Sequence, residues 1–254
     1  MDEKYFNIDV KYNMAKIEKN KIFDLPIFLL TKATECPYIS NKIEKRLATD
    51  ITNNSHLHDE LALSGFRRVE NWMYRPACDS CNECKAYRIK VKEFNLSKSF
   101  KRTTKKNSHL FTKVVKNKAL KKHFTLFKKY QNDRHFAGSM SKMSFEDFKS
   151  MIEISPINTN LIEYKDKNNK LIAVMLFDTQ KDGLSAVYSF YKPEYKKNSI
   201  GIYMILHLIE MTKLMKLKYL YLGYFIKNVD RMNYKVLFSP GEVFENGKWN
   251  VLDV

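Results

Sequence analysis

Between Ser144 and Tyr224 one order of elements restricts what this chain can fold into: a capped helix, three strands, a second helix and a further strand. Ser144-Phe145-Glu146-Asp147 sets a hydroxyl three residues ahead of a carboxylate, the pairing that satisfies free N–H groups at a helix start, and Phe148, Met151 and Ile152 follow on an apolar face. Residues 161–164, 171–178 and 184–191 are apolar runs separated by the polar stretch Lys165-Asp166-Lys167-Asn168-Asn169-Lys170 and by Asp182-Gly183, which predicts a three-strand antiparallel meander. Residues 200–217 place Ile202, Ile205, Leu206, Ile209 and Leu214 at helical spacing, and 219–224 reads as a short strand. The expectation is an α+β chain with a central, mostly antiparallel sheet.

Upstream, residues 22–31 read as a strand leading to Glu35-Cys36-Pro37-Tyr38, and 55–63 as a short helix stopped by Gly65. Residues 67–74 and 86–91 read as strands on either side of Cys78-Asp79-Ser80-Cys81-Asn82-Glu83-Cys84, so that the cysteine turn and its strands make a small α+β module. Ser97 then caps a basic helix ending near Asn107, residues 111–116 form a strand and 120–131 a helix. Composition shifts near Asn95, which divides the chain into a cysteine-knuckle module over 1–95 and a catalytic domain over 96–254.

The net charge of +17, from 45 basic and 28 acidic residues, attracts nucleic acid, anionic membrane or acidic substrates. Part of the lysine excess is compositional drift, so clustering matters more than the total. Residues 1–10 have no secretory signal pattern, and the most apolar stretch, 200–215, contains His207, Glu210 and Lys213, so no segment reads as spanning a bilayer. A soluble cytoplasmic protein keeps its thiols reduced. The spacing of Cys78, Cys81 and Cys84, with Cys36, therefore suggests a four-thiolate site for structural zinc or an iron–sulfur cluster; the alternative is a metal-free turn with buried thiols. His56 and His58 are alternative ligands, or solvent-exposed helix residues.

The helix–meander–helix–strand order resembles the GNAT superfamily of N-acyltransferases. Coenzyme-A users of that fold need a small residue where this chain has Tyr203 in Lys196-Lys197-Asn198-Ser199-Ile200-Gly201-Ile202-Tyr203, which disfavours a coenzyme-A donor. More specifically, ordered blocks span most of the chain: Cys36-Pro37-Tyr38, Gly65-Phe66-Arg67-Arg68, Tyr74-Arg75-Pro76 with the cysteines, Arg134-His135, Ala186-Val187-Tyr188-Ser189-Phe190-Tyr191, Tyr219-Leu220-Tyr221-Leu222-Gly223-Tyr224 and Met232-Asn233-Tyr234-Lys235. In these blocks the chain resembles the bacterial aspartate/glutamate leucyltransferases, relatives of the eukaryotic arginyl-tRNA–protein transferases. The resemblance implies transfer of leucine from leucyl-tRNA to proteins that begin with Asp or Glu, marking them for degradation, with no cofactor required for the chemistry.

That activity assigns candidate roles. Arg134 and His135, with Tyr188 and Ser189 on the central strand, are the catalytic candidates. Arg75, Gly223, Tyr224 and Lys235 are those for substrate binding. Each has a plainer reading: Arg75 can brace the cysteine turn, Arg134 can cap a helix, His135 can be structural, the tyrosines can be core and Lys235 can be solvated. Lys98, Lys101, Arg102, Lys105 and Lys106, with Lys196 and Lys197, are candidate tRNA contacts, against the default of a solvated helix face. Three other functions stay open: arginyl transfer, coenzyme-A-dependent acetylation, and non-catalytic RNA binding by a zinc knuckle.

Overall fold

The computed structural model describes residues 26–134 and 138–252. The chain begins with β1 (Leu29–Leu30), β2 (Thr34–Glu35), β3 (Ile43–Glu44), β4 (Arg46–Asp50), α1 (His58–Leu63), β5 (Arg67–Val69) and β6 (Trp72–Pro76). Strands β1, β4, β6 and β5 make a four-stranded sheet in that order, and β2 pairs with β3. Residues 22–25 of the first expected strand lie outside the described residues. The single strand expected over 67–74 is a hairpin: Val69 pairs with Trp72 across Glu70-Asn71, with Glu70 at φ 53°. A non-glycine residue rarely takes that conformation, so no glycine or proline announces the turn. Ile51, Ala62, Phe66 and Met73 form a small core under this sheet.

The remaining elements are β7 (Lys85–Lys90), α2 (Lys98–Asn107), β8 (Phe111–Lys116), α3 (Lys121–Arg134), α4 (Phe145–Glu153), β9 (Thr159–Lys165), β10 (Leu171–Thr179), β11 (Gly183–Tyr191), α5 (Ile200–Leu214), β12 (Tyr219–Phe225), α6 (Asp230–Asn233), β13 (Gly241–Glu245) and β14 (Lys248–Val251). An eight-stranded sheet runs β14-β13-β7-β12-β11-β10-β9-β8, and its only parallel pair among the described residues is β11 with β12. The α+β expectation with a mostly antiparallel sheet is met.

The cysteine-knuckle module is not seen as expected. The cysteine run leaves β6 in one sheet and enters β7 in the other, so it crosses between sheets instead of turning within a module. Burial explains this: Ala86, Tyr87, Arg88 and Ile89 are buried in succession, and a strand covered on both faces belongs inside a large sheet. The composition shift near Asn95 falls between β7 and β8, two strands of the same sheet.

Local rules hold at the helix starts. Ser97 Oγ accepts from the Phe100 N–H at 3.2 Å, and Ser144 and Asp147 form the reciprocal capping box. On the sheet, Phe190 packs against Phe127 of α3 and Phe148 of α4, whereas its neighbour Tyr191 faces Gly201 of α5. Successive strand residues point to opposite faces, so helices cover the sheet on both sides. No helix among the described residues is long and apolar enough to cross a membrane.

Candidate active site

The parallel pair does not run its full length. β11 and β12 are in register only through Gly183↔Tyr219, Leu184↔Leu220 and Ser185↔Tyr221. β12 then shifts register against β7 between Tyr221 and Tyr224, around Gly223 at φ +74°. Beyond this bulge the two strands part around a cleft of about 240 Å³, where a single water needs roughly 10–15 Å³. Residues 186–189 of β11 and Leu222 of β12 line it, with Tyr130 of α3, Ile205 of α5, and Tyr234 and Lys235 from the short turn after α6.

Two cations enter this cleft. Arg67 crosses from β5 and donates through Nη2 to the Ala186 carbonyl at 3.4 Å. Its Nη1 lies 1.8 Å from where a Cβ on residue 223 would stand, so only glycine leaves it room. Lys235 is 6 % exposed and donates to the Tyr224 carbonyl. Burial, and then the Arg67 charge, bring its ammonium down to about 7. No Asp or Glu lines the cleft among the described residues.

Of the residues singled out from sequence, Tyr188, Ser189 and Lys235 line the cleft, and Gly223 forms its bulge. The Tyr188 hydroxyl meets Gln131 Nε2 at 2.6 Å, and Arg134, exposed at the end of α3, donates to the Tyr191 hydroxyl at 2.5 Å. Tyr224 contributes only its carbonyl, because its side chain turns away and its hydroxyl donates to the Tyr74 and Gly65 carbonyls at 2.8 and 3.2 Å. Arg75 is exposed, stacks over Phe66 at 5.1 Å and does not line the cleft. His135 lies outside the described residues. Sequence reasoning missed Arg67, Gln131 and Tyr234 as site residues; Arg67 and Tyr234 stand in the family-like blocks, but nothing local says that the Arg67 side chain reaches a second sheet.

Cys36, Cys78, Cys81 and Cys84 are free thiols around a second, smaller pocket of about 50 Å³, shared with Tyr38, Tyr74 and Tyr224. Burial, reinforced by the other three cysteines, pushes the Cys84 thiol up to about 12. Thiolates suit zinc in kind, but among the described residues no group of three or more His, Cys, Asp or Glu is disposed to hold a metal ion. His56 is exposed, His58 is buried against Asp59, and neither lines this pocket.

The candidate tRNA contacts lie on two neighbouring elements. α2 turns Phe100, Thr103 and Asn107 inward and exposes Lys98, Lys101, Arg102, Lys105 and Lys106. Asn107 Nδ2 donates to the Asn198 carbonyl at 2.8 Å, tying the end of α2 to the turn that exposes Lys196 and Lys197.

Two family models match this chain: "Arginine-tRNA-protein transferase, N terminus" over residues 34–102 and "Arginine-tRNA-protein transferase, C terminus" over 122–245. An aspartate/glutamate leucyltransferase of Granulibacter bethesdensis is 39% identical over 227 residues, covering 89% of this chain and 85% of that protein. The protein of that description from Gluconacetobacter diazotrophicus is 40% identical over 229 residues, covering 89% and 88%. Among solved structures, FemX has a TM-score of 0.47 at 8% identity, covering 74% of this chain and 65% of that one, a likeness too distant to inform the site.

Proposed function

The chain belongs to the arginine-tRNA-protein transferase family, and on that premise we propose that it moves leucine from leucyl-tRNA to the α-amine of proteins beginning with Asp or Glu. The enzyme is an aminoacyltransferase. In this reading it works in the cytoplasm and marks its products for degradation. The observation that carries the acidic acceptor is the cleft itself, which Arg67 enters with no acidic residue in the lining among the described residues. A buried cation without a counter-charge is costly, and a carboxylate entering from the acceptor removes that cost. The Arg67 guanidinium offers a fork that matches a carboxylate in two hydrogen bonds, and Arg134 adds positive charge close by.

The donor ester already stores the energy of the reaction, and an α-amine with a reference pKa of about 7.7–8.0 has a reactive fraction near neutrality. Positioning then supplies most of the rate. Beyond Ser185 the facing edges of β11 and β12 are released from their ladder, so backbone N–H groups there are available to a tetrahedral oxyanion. Purified enzyme given labelled leucyl-tRNA should label peptides that start with Asp or Glu, without ATP, and leave Lys-starting peptides inert. Equal labelling of Asp, Lys and Ala peptides, or a need for acetyl-coenzyme A, would sink the proposal.

In this reading the tRNA lies along α2 and the adjoining Lys196-Lys197 turn. Replacing Lys101, Arg102 and Lys105 together with Gln should weaken tRNA binding and flatten its salt dependence, by about 0.7–0.9 in log–log slope for each phosphate that is no longer neutralised. Peptide KM should not move, because none of the three lines the cleft. An unchanged salt slope in a filter-binding titration would return these residues to a solvated helix face.

A further inference from the structure

The transfer reaction needs a proton acceptor, because the attacking nitrogen becomes cationic as its bond to the leucyl carbon forms. The cleft offers few. A guanidinium has no lone pair to offer as a base, so the arginines are excluded. Tyr130, Tyr188 and Tyr234 are phenols that burial pushes away from ionisation, and no acidic residue or histidine lines the space among the described residues. Lys235 remains. It stands on the cleft wall, 6 % exposed, with no carboxylate in the lining among the described residues, and its bond to the Tyr224 carbonyl fixes the nitrogen while leaving a lone pair unused.

Resting on the leucyl transfer described above, we propose that Lys235 takes the proton shed by the attacking α-amine and passes it to the departing tRNA hydroxyl. The neutral α-amine forms a C–N bond to the ester carbon, and the carbonyl electron pair moves to oxygen. The Lys235 amine accepts a proton from the new cationic nitrogen. The tetrahedral species then collapses, the C–O bond to the ribose breaks, and the Lys235 ammonium protonates the released oxygen. Lysine returns to its starting state, and the balance is amine plus ester to amide plus alcohol.

The surroundings favour this use. The charged or titratable groups facing Lys235 are Arg67 from β5, Tyr224 from β12, Tyr234 beside it and Tyr87 from β7, whose hydroxyl donates to the Lys235 carbonyl at 3.0 Å. Arg67 and burial both oppose the ammonium, which holds the group at about 7, where a base is half available at neutral pH. The neutral form, and hence activity, is lost as pH falls through that value. This separates the two cations: Arg67 holds the acceptor's carboxylate, and Lys235 moves the proton.

The test is Lys235→Arg, which keeps the positive charge and removes the usable lone pair. With an Asp-starting peptide, kcat should fall about 100-fold or more, with peptide KM and tRNA binding held. A fully active Lys235→Arg enzyme would overturn the inference and make Lys235 a simple counter-charge. A second measurement needs no variant. Wild-type enzyme given an acceptor whose terminal amine is replaced by an aminooxy group, already neutral near pH 7, should still lose rate below about pH 7 with the slope of one proton. A flat profile would overturn the inference even if the variant failed to fold. Wild-type enzyme inert towards every peptide would sink the transferase reading and this inference together, whereas active wild type with active Lys235→Arg sinks only this one.

Discussion

Gly223→Val should lower kcat/KM for Asp-starting peptides by about 100-fold while leaving tRNA affinity unchanged. Two effects combine. A β-branched residue at φ +74° costs on the order of 1–3 kcal/mol in backbone strain. The new Cβ would also stand 1.8 Å from Arg67 Nη1. That atom ends a flexible side chain, so the arginine moves and the protein still folds, but the guanidinium leaves the cleft. Each charge-assisted hydrogen bond it then fails to give the acceptor's carboxylate is worth roughly 1.5–3 kcal/mol. Arg67→Met should show the same kinetic loss without the strain, which thermal melting of the two variants separates. Wild-type kinetics in both would remove Arg67 from acceptor binding.

The largest effect on stability is expected one residue further along. Arg68 is bidentate to Asp178, with Nε and Nη2 at 2.8 and 2.7 Å, and both side chains are almost fully buried. Arg68 Nη1 also donates to the Glu70 carbonyl at 2.6 Å, and the Thr159 hydroxyl donates to Asp178 Oδ1 at 2.6 Å. Arg68→Met strands the Asp178 carboxylate and should cost about 3–5 kcal/mol, read as a fall in the urea midpoint with an unchanged m-value. Arg68→Met with Asp178→Leu should recover much of that loss, because removing both charges of a buried pair is often neutral. Equal destabilisation by single and double variants would mean that packing, not charge, is what Arg68 supplies. Since Arg68 pins β5 beside Arg67, the single variant should also lose activity.

The parts of the fold legible in the sequence were those in which a few neighbouring residues decide the outcome. Ser97 and Ser144 cap their helices because the satisfied N–H lies within one turn, and 161–191 folds as a meander because its turns are polar and its strands apolar. The bulge glycine, Tyr188, Ser189 and Lys235 were singled out because they stand in motifs, and all four lie at the cleft. Arg67 was not singled out, since its role depends on strands β5 and β12 meeting across more than 150 residues of chain. Arg75 drew attention in its place because it stands in the block Tyr74-Arg75-Pro76 and an arginine fork matches a carboxylate, but its neighbour in space is Phe66. The C-terminal hairpin was missed despite a clear signal: Asn246-Gly247, both at positive φ, joins β13 to β14 as a two-residue turn between alternating residues.

The position of β7 has a consequence for how the chain is made. Lys90 pairs with Tyr219 on one side and Tyr87 with Val243 on the other, so a strand synthesised early waits for two synthesised much later. A nascent chain that has emerged only as far as β11 holds the meander ready to form, but β7 has both edges open and its core residues exposed. Such long-range closure slows folding and leaves a template for wrong pairings meanwhile. Separate expression of 96–254 would remove the middle strand between β12 and β13, so the two halves of this enzyme are one folding unit made at opposite ends of translation.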